Sequence, residues 1–280
     1  MNTALALGVD LGSSGLRIAL IGPDGEQLIE ESSPYPSSLE EPLGWAEGLT
    51  SLCGLLPAAA RKQVGALAVD GTSGTLLLCR SDGSLASGPL GAALPYHQAF
   101  PDRAETAAAL VGEAGAHTPA ASASGSLARA LQLLDQVSAA AEPGPWLLRH
   151  QADWLMGWLL GDWRWGEEGN NLRLGWDQHQ RRWMGRLADQ SWSAALPEIC
   201  PSGQVLGRLA GEAAVALALP AACTVVAGST DASAAVLAAD LQEGDGAAVL
   251  GTTLVLKQFS DRPLQGPGIS CQRVAGRWLV

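Results

Sequence analysis

The sequence predicts an α/β protein, because short apolar strands alternate with longer segments of helical periodicity. Residues 4–9 and 16–21 are apolar runs of strand length. A strong turn signal at 22–25 (GPDG) precedes a third predicted strand at 26–31, so the chain is expected to open as an antiparallel meander. Residues 103–142, by contrast, are rich in alanine and mostly helical in pattern.

The same patterns predict the remaining elements in order. Two apolar runs, 64–69 and 75–79, surround a polar turn and are expected to form a second hairpin. Helices are expected at 46–61 and 146–160. The later predicted elements are a buried strand at 224–227, an alanine-rich helix ending at 239, a strand pair at 247–250 and 253–259, and the start of a further strand at 273–280.

Composition limits the classes of protein to consider. With 280 residues, 47% hydrophobic and 16% charged, the chain is long and apolar enough to bury a sizeable core. The net charge of −11 argues against nucleic acid or an anionic membrane as a partner. The odd number of cysteines, five, does not indicate a disulfide framework. This cysteine usage fits a reducing cytoplasm, where the protein is expected. Neither a signal-peptide pattern nor an apolar segment of spanning length is found.

Residues 10–15 (DLGSSG) form the first segment whose residues are suited to binding or catalysis. Glycine lets the backbone approach an anion closely, and Ser13 and Ser14 add hydroxyl donors. Asp10, at the end of a predicted strand, can hold Mg²⁺ directly or through water. An ordinary hairpin turn has the same composition. Neither a G-x-x-x-x-G-K-[ST] nor a G-x-G-x-x-G motif is present, so an ATP site would need a different phosphate cradle.

Three later segments repeat this chemistry. Residues 70–75 (DGTSGT) and 251–257 (GTTLVLK) offer hydroxyls and flexible backbone at strand ends. In 228–232 (GSTDA), Asp231 lies at a predicted helix start, where the helix dipole favours its ionised form. Such a carboxylate can accept the proton of an attacking hydroxyl. Each segment alone also fits a surface turn, a helix cap or a hairpin bend.

Taken together and in this order, the segments resemble those of the FGGY carbohydrate kinases, which belong to the actin-like ATPase superfamily. The resemblance spans nearly the whole chain. The matching segments are 10–15, 44–47 (GWAE), 70–74, 153–155 (DWL), 160–161 (LG), 170–177 (NNLRLGWD), 228–231 and 251–253.

The resemblance implies an actin-like (ribonuclease H-like) α/β fold, in which two domains face each other across a cleft. Residues 1–238 would form the N-terminal sugar-binding domain, and residues 239–280 the beginning of the ATP-binding domain. That family continues into a glycine-rich segment and an adenosine-binding motif, so this chain is expected to be cut short at its C-terminal end.

The resemblance also implies roles for particular residues. Asp231 would be the base that activates the sugar hydroxyl and would contact the sugar, and Asp10 would lie near Mg²⁺ and the transferred phosphate. The phosphate of ATP would be bound by Gly12, Ser13, Ser14, Gly251, Thr252 and Thr253, and the sugar by Ser14 and Ser73.

The implied function is ATP-dependent phosphorylation of a small ketose, most simply a pentulose such as D-ribulose or D-xylulose. Alternatives are another sugar or polyol such as glycerol, a non-catalytic sugar or nucleotide binder, an inactive kinase fragment, and a plain α/β domain with chance motifs. One departure affects the sugar: where many relatives carry aromatic-x-Asp-x-Arg-Ala, residues 96–100 read YHQAF. Trp154 and Trp158, spaced i,i+4, are expected to pack rather than bind sugar.

Overall fold

The computed structural model describes residues 4–242, 244–250, 254–264 and 269–280. None of the helices in these ranges is both long and apolar enough to cross a membrane. The described strands are β1 (Leu5–Leu11), β2 (Gly15–Ile21), β3 (Gln27–Pro34), β4 (Val64–Gly71), β5 (Leu76–Cys79), β6 (Leu147–His150), β7 (Trp165–Glu167), β8 (Trp176–Asp177), β9 (Arg182–Trp183), β10 (Glu198–Cys200), β11 (Val205–Arg208), β12 (Thr224–Thr230), β13 (Gly246–Leu250), β14 (Leu254–Ser260), β15 (Gln272–Val274) and β16 (Arg277–Leu279).

The described helices are α1 (Pro42–Leu55), α2 (Ala58–Arg61), α3 (Pro101–Gly115), α4 (Ser126–Ala139), α5 (Gln151–Leu160), α6 (Gly211–Leu217) and α7 (Asp231–Ala238). Short 3-10 helices lie at Gly88–Gly91, Pro119–Ala121, Asn170–Leu174, Leu187–Asp189 and Ser193–Ala195. This mixture of helices and strands confirms the predicted α/β class.

The central feature is a six-stranded sheet with the strand order β11-β12-β4-β1-β2-β3. Strands β1, β2 and β3 pair antiparallel, as predicted for the opening meander. Strands β4 and β12 join the sheet parallel to β1 and to each other. Parallel pairing needs long crossover connections, and the chain between β1 and β12 supplies them with helices.

The largest core lies between this sheet and helices α1, α5 and α6. Alternate residues of β1, including Leu7 and Val9, are buried there with Leu49 of α1. Trp154 of α5 packs edge-on against Trp45 at 5.8 Å, and Trp158 packs against the same core. The predicted packing role of Trp154 and Trp158 is therefore confirmed, and these helices fix the sheet edge on which the site lies.

Two local predictions were wrong. Strand β5 does not form a hairpin with β4, because both neighbours of β4 in the sheet are already β1 and β12. Instead β5 pairs antiparallel with β6, over a second core shared with α3 and α4. The predicted helix at 146–160 accordingly begins only at Gln151, since residues 147–150 are strand β6.

The C-terminal residues form a separate four-stranded sheet in the order β13-β14-β16-β15. The expected single strand at 273–280 is a hairpin, because Ala275 and Gly276 both adopt positive φ and turn the chain. Val274 and Leu279 of this hairpin are buried against Val236 of α7. The domain division after residue 238 remains a prediction.

Candidate active site

Three aspartates lie where three neighbouring parallel strands end. Asp10 of β1 pairs in register with Asp70 of β4, and Thr230 of β12 pairs with Gly71, so that Asp231 follows directly. The carboxyl ends of parallel strands meet at one edge of a sheet, which is where ligands bind in open α/β folds. A cavity of about 880 Å³ opens at this edge, and all three aspartates line it.

The turn at residues 12–15, which is predicted to bind phosphate and is called the phosphate turn, forms one wall of the cavity. The Gly12 amide donates to the Gly15 carbonyl at 2.9 Å, which closes a tight turn around Ser13 and Ser14. Both serines line the cavity and are exposed to it. A Cβ at Gly15 would overlap the backbone carbonyl of Ser33, so only glycine fits there. The turn thus presents hydroxyl groups and accessible backbone to the cavity.

Asp10 makes one ion pair and keeps a second oxygen free. Its Oδ2 accepts from Arg17 Nη1 at 2.8 Å, and the Arg17 side chain is largely exposed. Its Oδ1 is buried and has no hydrogen-bond partner among the described residues. The unpaired oxygen belongs to a carboxylate that lines the cavity, so it is available to a ligand there.

Asp70 was not among the predicted site residues, yet it stands beside Asp10 in the same cavity. Burial, reinforced by the neighbouring Asp10 and Asp231, raises the pKa of the Asp70 carboxyl to about 8. Asp70 therefore holds a proton at neutral pH, which relieves repulsion among the three acids. The sequence did contain a signal, because an acid follows an apolar strand before a Gly/Ser/Thr turn at both Asp10 and Asp70.

Asp231 is the first residue of α7, and it is not the residue that caps the helix. Thr230 is the cap: its Oγ1 accepts from the Ser233 amide at 3.2 Å. This leaves the Asp231 carboxylate at the cavity, where its Oδ1 accepts from the Ala232 amide at 2.6 Å. Partial loss of hydration raises the pKa of Asp231, and Asp10 adds to this, whereas Lys257 and Arg173 lower it. The prediction from the helix dipole alone missed this opposing effect of burial.

The position of Asp231 depends on a close approach between two strands. A Cβ at Gly228 would overlap the backbone of Val69, so glycine is required there. The pairing of β12 with β4 shifts register between Ala227 and Thr230, one step before Asp231. This irregularity turns the chain from the sheet into α7 at the cavity.

Two cations lie near Asp231, and neither was predicted. Lys257 of β14 donates from Nζ to the Ala232 carbonyl at 2.9 Å. The Arg173 side chain makes no hydrogen bond or ion pair with any residue that the structure describes. Burial lowers the pKa of Arg173 while Asp231 raises it, so the guanidinium and the carboxylate are electrostatic neighbours. Both cations stabilise negative charge beside α7.

Ser73, predicted to contact the sugar, is half-buried and does not line the described cavity. It precedes Gly74, whose φ of +112° turns the chain and whose surroundings include Arg173, Arg129 and Tyr96. The turn at 72–75 therefore belongs to a second region, on the Arg173 side of Asp231. We call residues 72–75 the acceptor-side turn, after the predicted contact of Ser73 with the sugar that would accept the phosphate.

The segment that departs from the family pattern is held by a buried arginine. Arg129 is fully buried, and its guanidinium donates to the carbonyl oxygens of Pro95, Ser124, Tyr96 and Gln98. Four backbone acceptors satisfy this buried charge without any carboxylate. The 95–98 segment beside the acceptor-side turn is consequently fixed in place.

Other matching residues serve the fold. Asp153 is buried, and its carboxylate accepts from the Glu167 amide at 2.9 Å and from Asn171 Nδ2 at 3.1 Å, which ties α5 to the chain after β7. Gly251, Thr252 and Thr253, predicted to form the second phosphate loop, lie outside the described residues.

The carboxylates suit a magnesium ion that takes most of its ligands from water and a bound phosphate. No group of three or more Asp, Glu, His or Cys side chains in the described ranges is placed to hold one metal ion. Asp10 and Asp70 nevertheless each offer a buried oxygen that lacks a partner among the described residues. Mg²⁺ is commonly bound through one or two carboxylates with water and phosphate supplying the rest, and this donor set fits that mode.

Comparison with known proteins places the fold. No family model matches the sequence. The xylulose kinase of Rhodospirillum rubrum superposes with a TM-score of 0.81 at 19% identity, covering 98% of this chain and 60% of that one. The gluconate kinase of Lactobacillus acidophilus superposes with a TM-score of 0.72 at 14% identity, covering 99% of this chain and 59% of that one. The glycerol kinase of Plasmodium falciparum gives 0.68 at 15% identity, covering 92% and 54%.

This chain therefore spans less than two thirds of the length of each of these structures. The similarity nonetheless extends over nearly all of the chain itself. The resemblance seen in the sequence is confirmed at the level of the fold: the chain has the actin-like α/β fold of the carbohydrate kinases.

Proposed function

We propose that this chain acts as a sugar kinase, which transfers the γ-phosphate of ATP to a hydroxyl of a small ketose. The observation that carries the proposal is the convergence of Asp10, Asp70 and Asp231 with the turn at 12–15 on one cavity. Phosphoryl transfer needs positioned oxygens, charge neutralisation and a group that orients the nucleophile. Among candidate substrates, pentuloses such as D-ribulose and D-xylulose are favoured, because xylulose kinases recur among similar structures.

The phosphate groups of ATP would lie against the turn at 12–15. Ser13 and Ser14 expose hydroxyl donors there, and Gly12 and Gly15 keep the backbone free of side chains. Mg²⁺ would be held by the free oxygens of Asp10 and Asp70, and when bound it neutralises charge on the transferred phosphate. Asp70 holds a proton in the unliganded protein, and this proton would leave when Mg²⁺ binds, because a carboxyl group that holds a metal ion is deprotonated.

Asp231 would act as the base. It faces the cavity from the start of α7, and its raised pKa makes it a better proton acceptor than an ordinary aspartate. The sugar hydroxyl would donate to this carboxylate and attack the γ-phosphate from the side of the acceptor-side turn. Arg173 and Lys257 both interact electrostatically with Asp231, and they would stabilise it in its charged state before transfer.

A non-catalytic sugar or nucleotide binder is the second candidate. One observation favours it: the 95–98 segment, where many relatives place a sugar-contacting acid, has no acid here and is bound through its carbonyl groups by Arg129. Such a protein would retain the cavity and its phosphate turn but would not transfer phosphate.

The test is sugar-dependent release of ADP by the purified chain, measured over a panel of ketoses, polyols and sugar acids with Mg²⁺ and ATP. A kinase releases ADP only with its sugar, and Asp231→Asn should lower that release by about 10²-fold or more. Asp189→Asn, at an exposed aspartate that does not line the cavity, is the matched control and should retain that release. Sugar or nucleotide binding without ADP release would establish the binder instead.

A further inference from the structure

A buried chain of hydrogen bonds connects the acceptor-side turn to the phosphate turn. It runs between backbone groups at its two ends and side chains in between, and we call it the Tyr96–Gly12 chain. Its bonds are Tyr96 N to Thr75 Oγ1 at 3.2 Å, Thr75 Oγ1 to Thr72 Oγ1 at 2.7 Å, Thr72 Oγ1 to Gln151 Oε1 at 2.6 Å, Gln151 Nε2 to Tyr35 Oη at 3.0 Å, and Tyr35 Oη to the Gly12 carbonyl at 2.7 Å.

Every donor in the chain points in the same direction. The Thr72 amide also donates to Gln151 Oε1, at 3.2 Å, so the amide oxygen must face Thr72 and the amide nitrogen must face Tyr35. The Thr72 hydroxyl proton is directed to Gln151, and Thr75 must therefore donate to Thr72. At the far end, the Gly12 carbonyl can only accept, so Tyr35 donates to it.

Burial makes this order stable. Gln151 and Thr75 are fully buried, Thr72 is 3% exposed and Tyr35 is 8% exposed. Burial also raises the pKa of the Tyr35 phenol, which keeps the proton that it donates to Gly12. Aligned hydrogen bonds in a low-dielectric interior strengthen one another, and loss of one member leaves buried partners unsatisfied.

The two ends of the chain lie in the two halves of the site. Gly12 begins the turn that carries Ser13 and Ser14 into the cavity. Thr72 and Thr75 bracket Ser73 and Gly74 in the acceptor-side turn. The Tyr96–Gly12 chain therefore links the two turns through Gln151, which is fully buried at the start of α5.

We propose that Gln151 and Tyr35 are positioning residues that couple the phosphate turn to the acceptor-side turn, so that a ligand at one turn sets the geometry of the other. The identity of the two ligands, nucleotide and sugar, rests on the proposed function; the mechanical coupling of the two turns does not. Neither residue reaches a ligand itself, since both act through backbone groups and hydroxyls of the turns.

The coupling can be tested first without any ligand. Thr72→Val removes the hydroxyl at nearly constant volume, and Thr72→Ser keeps it. Amide hydrogen exchange should rise about threefold to tenfold in residues 12–15 for Thr72→Val, the scale of one hydrogen bond, and return to the parent rate for Thr72→Ser. Thr50→Val is the control, because the Thr50 hydroxyl donates to the Ala46 carbonyl within α1 and takes no part in the Tyr96–Gly12 chain. A change confined to residues 70–76 would overturn the coupling.

A second measurement tests its consequence for binding. Calorimetry gives the affinity for MgADP with and without saturating D-xylulose in the parent protein and in Tyr35→Phe. If the turns are coupled, sugar changes the MgADP affinity of the parent protein. In Tyr35→Phe the ratio of the MgADP affinities with and without sugar should move towards one, while each ligand alone binds within about twofold of the parent. A ratio retained in Tyr35→Phe contradicts the inference. Failure of the parent protein to bind either ligand contradicts the proposed function, and the exchange experiment then decides the coupling by itself.

Discussion

The two sheets of this protein differ in how far their apolar residues are buried. In the six-stranded sheet, apolar residues of β1, β2 and β4 are buried under helices. In the sheet of β13 to β16, Val249, Leu250, Leu254 and Leu256 are exposed by 47%, 84%, 60% and 70%. The exposed residues lie on one hairpin, β13–β14, and the buried ones of that sheet are those in contact with α7.

The difference explains how the site is assembled. All three aspartates of the cavity come from the six-stranded sheet or the helix start that directly follows it, and that sheet has a complete core. The C-terminal sheet contributes Lys257 and is attached by a few polar contacts and one small apolar cluster. The geometry of the aspartates should thus be stable, whereas the C-terminal sheet, which holds Lys257, should separate from the rest of the fold more readily.

The largest expected effect compares leucines of the two sheets. Leu49→Ala in α1 empties a fully buried position against the six-stranded sheet and should lower the free energy of unfolding by about 2–5 kcal/mol. Leu256→Ala on β14 removes a side chain that is already 70% exposed and should change it by less than about 0.5 kcal/mol. Urea denaturation of both variants measures this, and equal losses would contradict the contrast between the sheets.

The second prediction concerns the chemistry that the stable sheet supports. Asp231→Asn preserves shape but removes the proton acceptor, so turnover should fall by about 10²-fold or more. The fold should be unaffected, because Thr230, and not Asp231, caps α7. Steady-state ADP release and a denaturation curve on the same preparation separate the two effects. Near-parental turnover in Asp231→Asn would remove this residue from the role of base.

The third prediction uses the acidic cluster at the ends of β1, β4 and β12. Because the folded-state pKa of Asp70 is raised to about 8 from 3.8, folding takes up a proton between these values. The contribution of this carboxyl is complete below about pH 4 and is lost as pH rises through about 8. Asp70→Asn should therefore be more stable than the parent protein above pH 8, by about 1–3 kcal/mol after allowance for solvent access.

Thermal unfolding at several pH values measures this difference. This difference should shrink steadily as the pH is lowered from 8 through 4, because the parent carboxyl is protonated in both states only below the unfolded-state pKa of 3.8. An Asp70→Asn variant whose stability advantage did not depend on pH would show that Asp70 is ionised in the folded protein.

The features predicted correctly from sequence depend on residues that are close in the chain. The meander of β1 to β3 follows from apolar runs and a GPDG turn. The positions of Asp10 at a strand end and of Asp231 at a helix start follow from equally local patterns, whereas the roles of these two residues remain predictions. The α/β class follows from the same local patterns. Each of these signals lies within about ten residues of sequence.

The features that were missed depend on contacts between distant segments. Strand β5 pairs with β6, some seventy residues later, because both edges of β4 are occupied. Gln151 lies 116 residues from Tyr35 and 79 from Thr72, and no local pattern indicates that these side chains meet. The buried environment that raises the pKa of Asp70 likewise exists only once three strands have come together.

The smallest expected effect tests the attachment of the C-terminal sheet itself. Gln178, in the turn between β8 and β9, accepts from the Arg273 amide at 2.6 Å and donates to the Arg273 carbonyl at 3.4 Å. Gln178→Ala removes both contacts and should weaken attachment by about 1 kcal/mol, the net value of such bonds. Amide exchange should therefore rise in residues 272–279 and stay unchanged in β1. Gln180→Ala is the matched control, since the Gln180 side chain, two residues away in the same turn, makes no hydrogen bond with the described residues. Equal increases in both sheets would mean that the two sheets open as one unit and that the contrast between them does not extend to their dynamics. The same response in Gln180→Ala would mean that the contacts of Gln178 with Arg273 do not attach the C-terminal sheet.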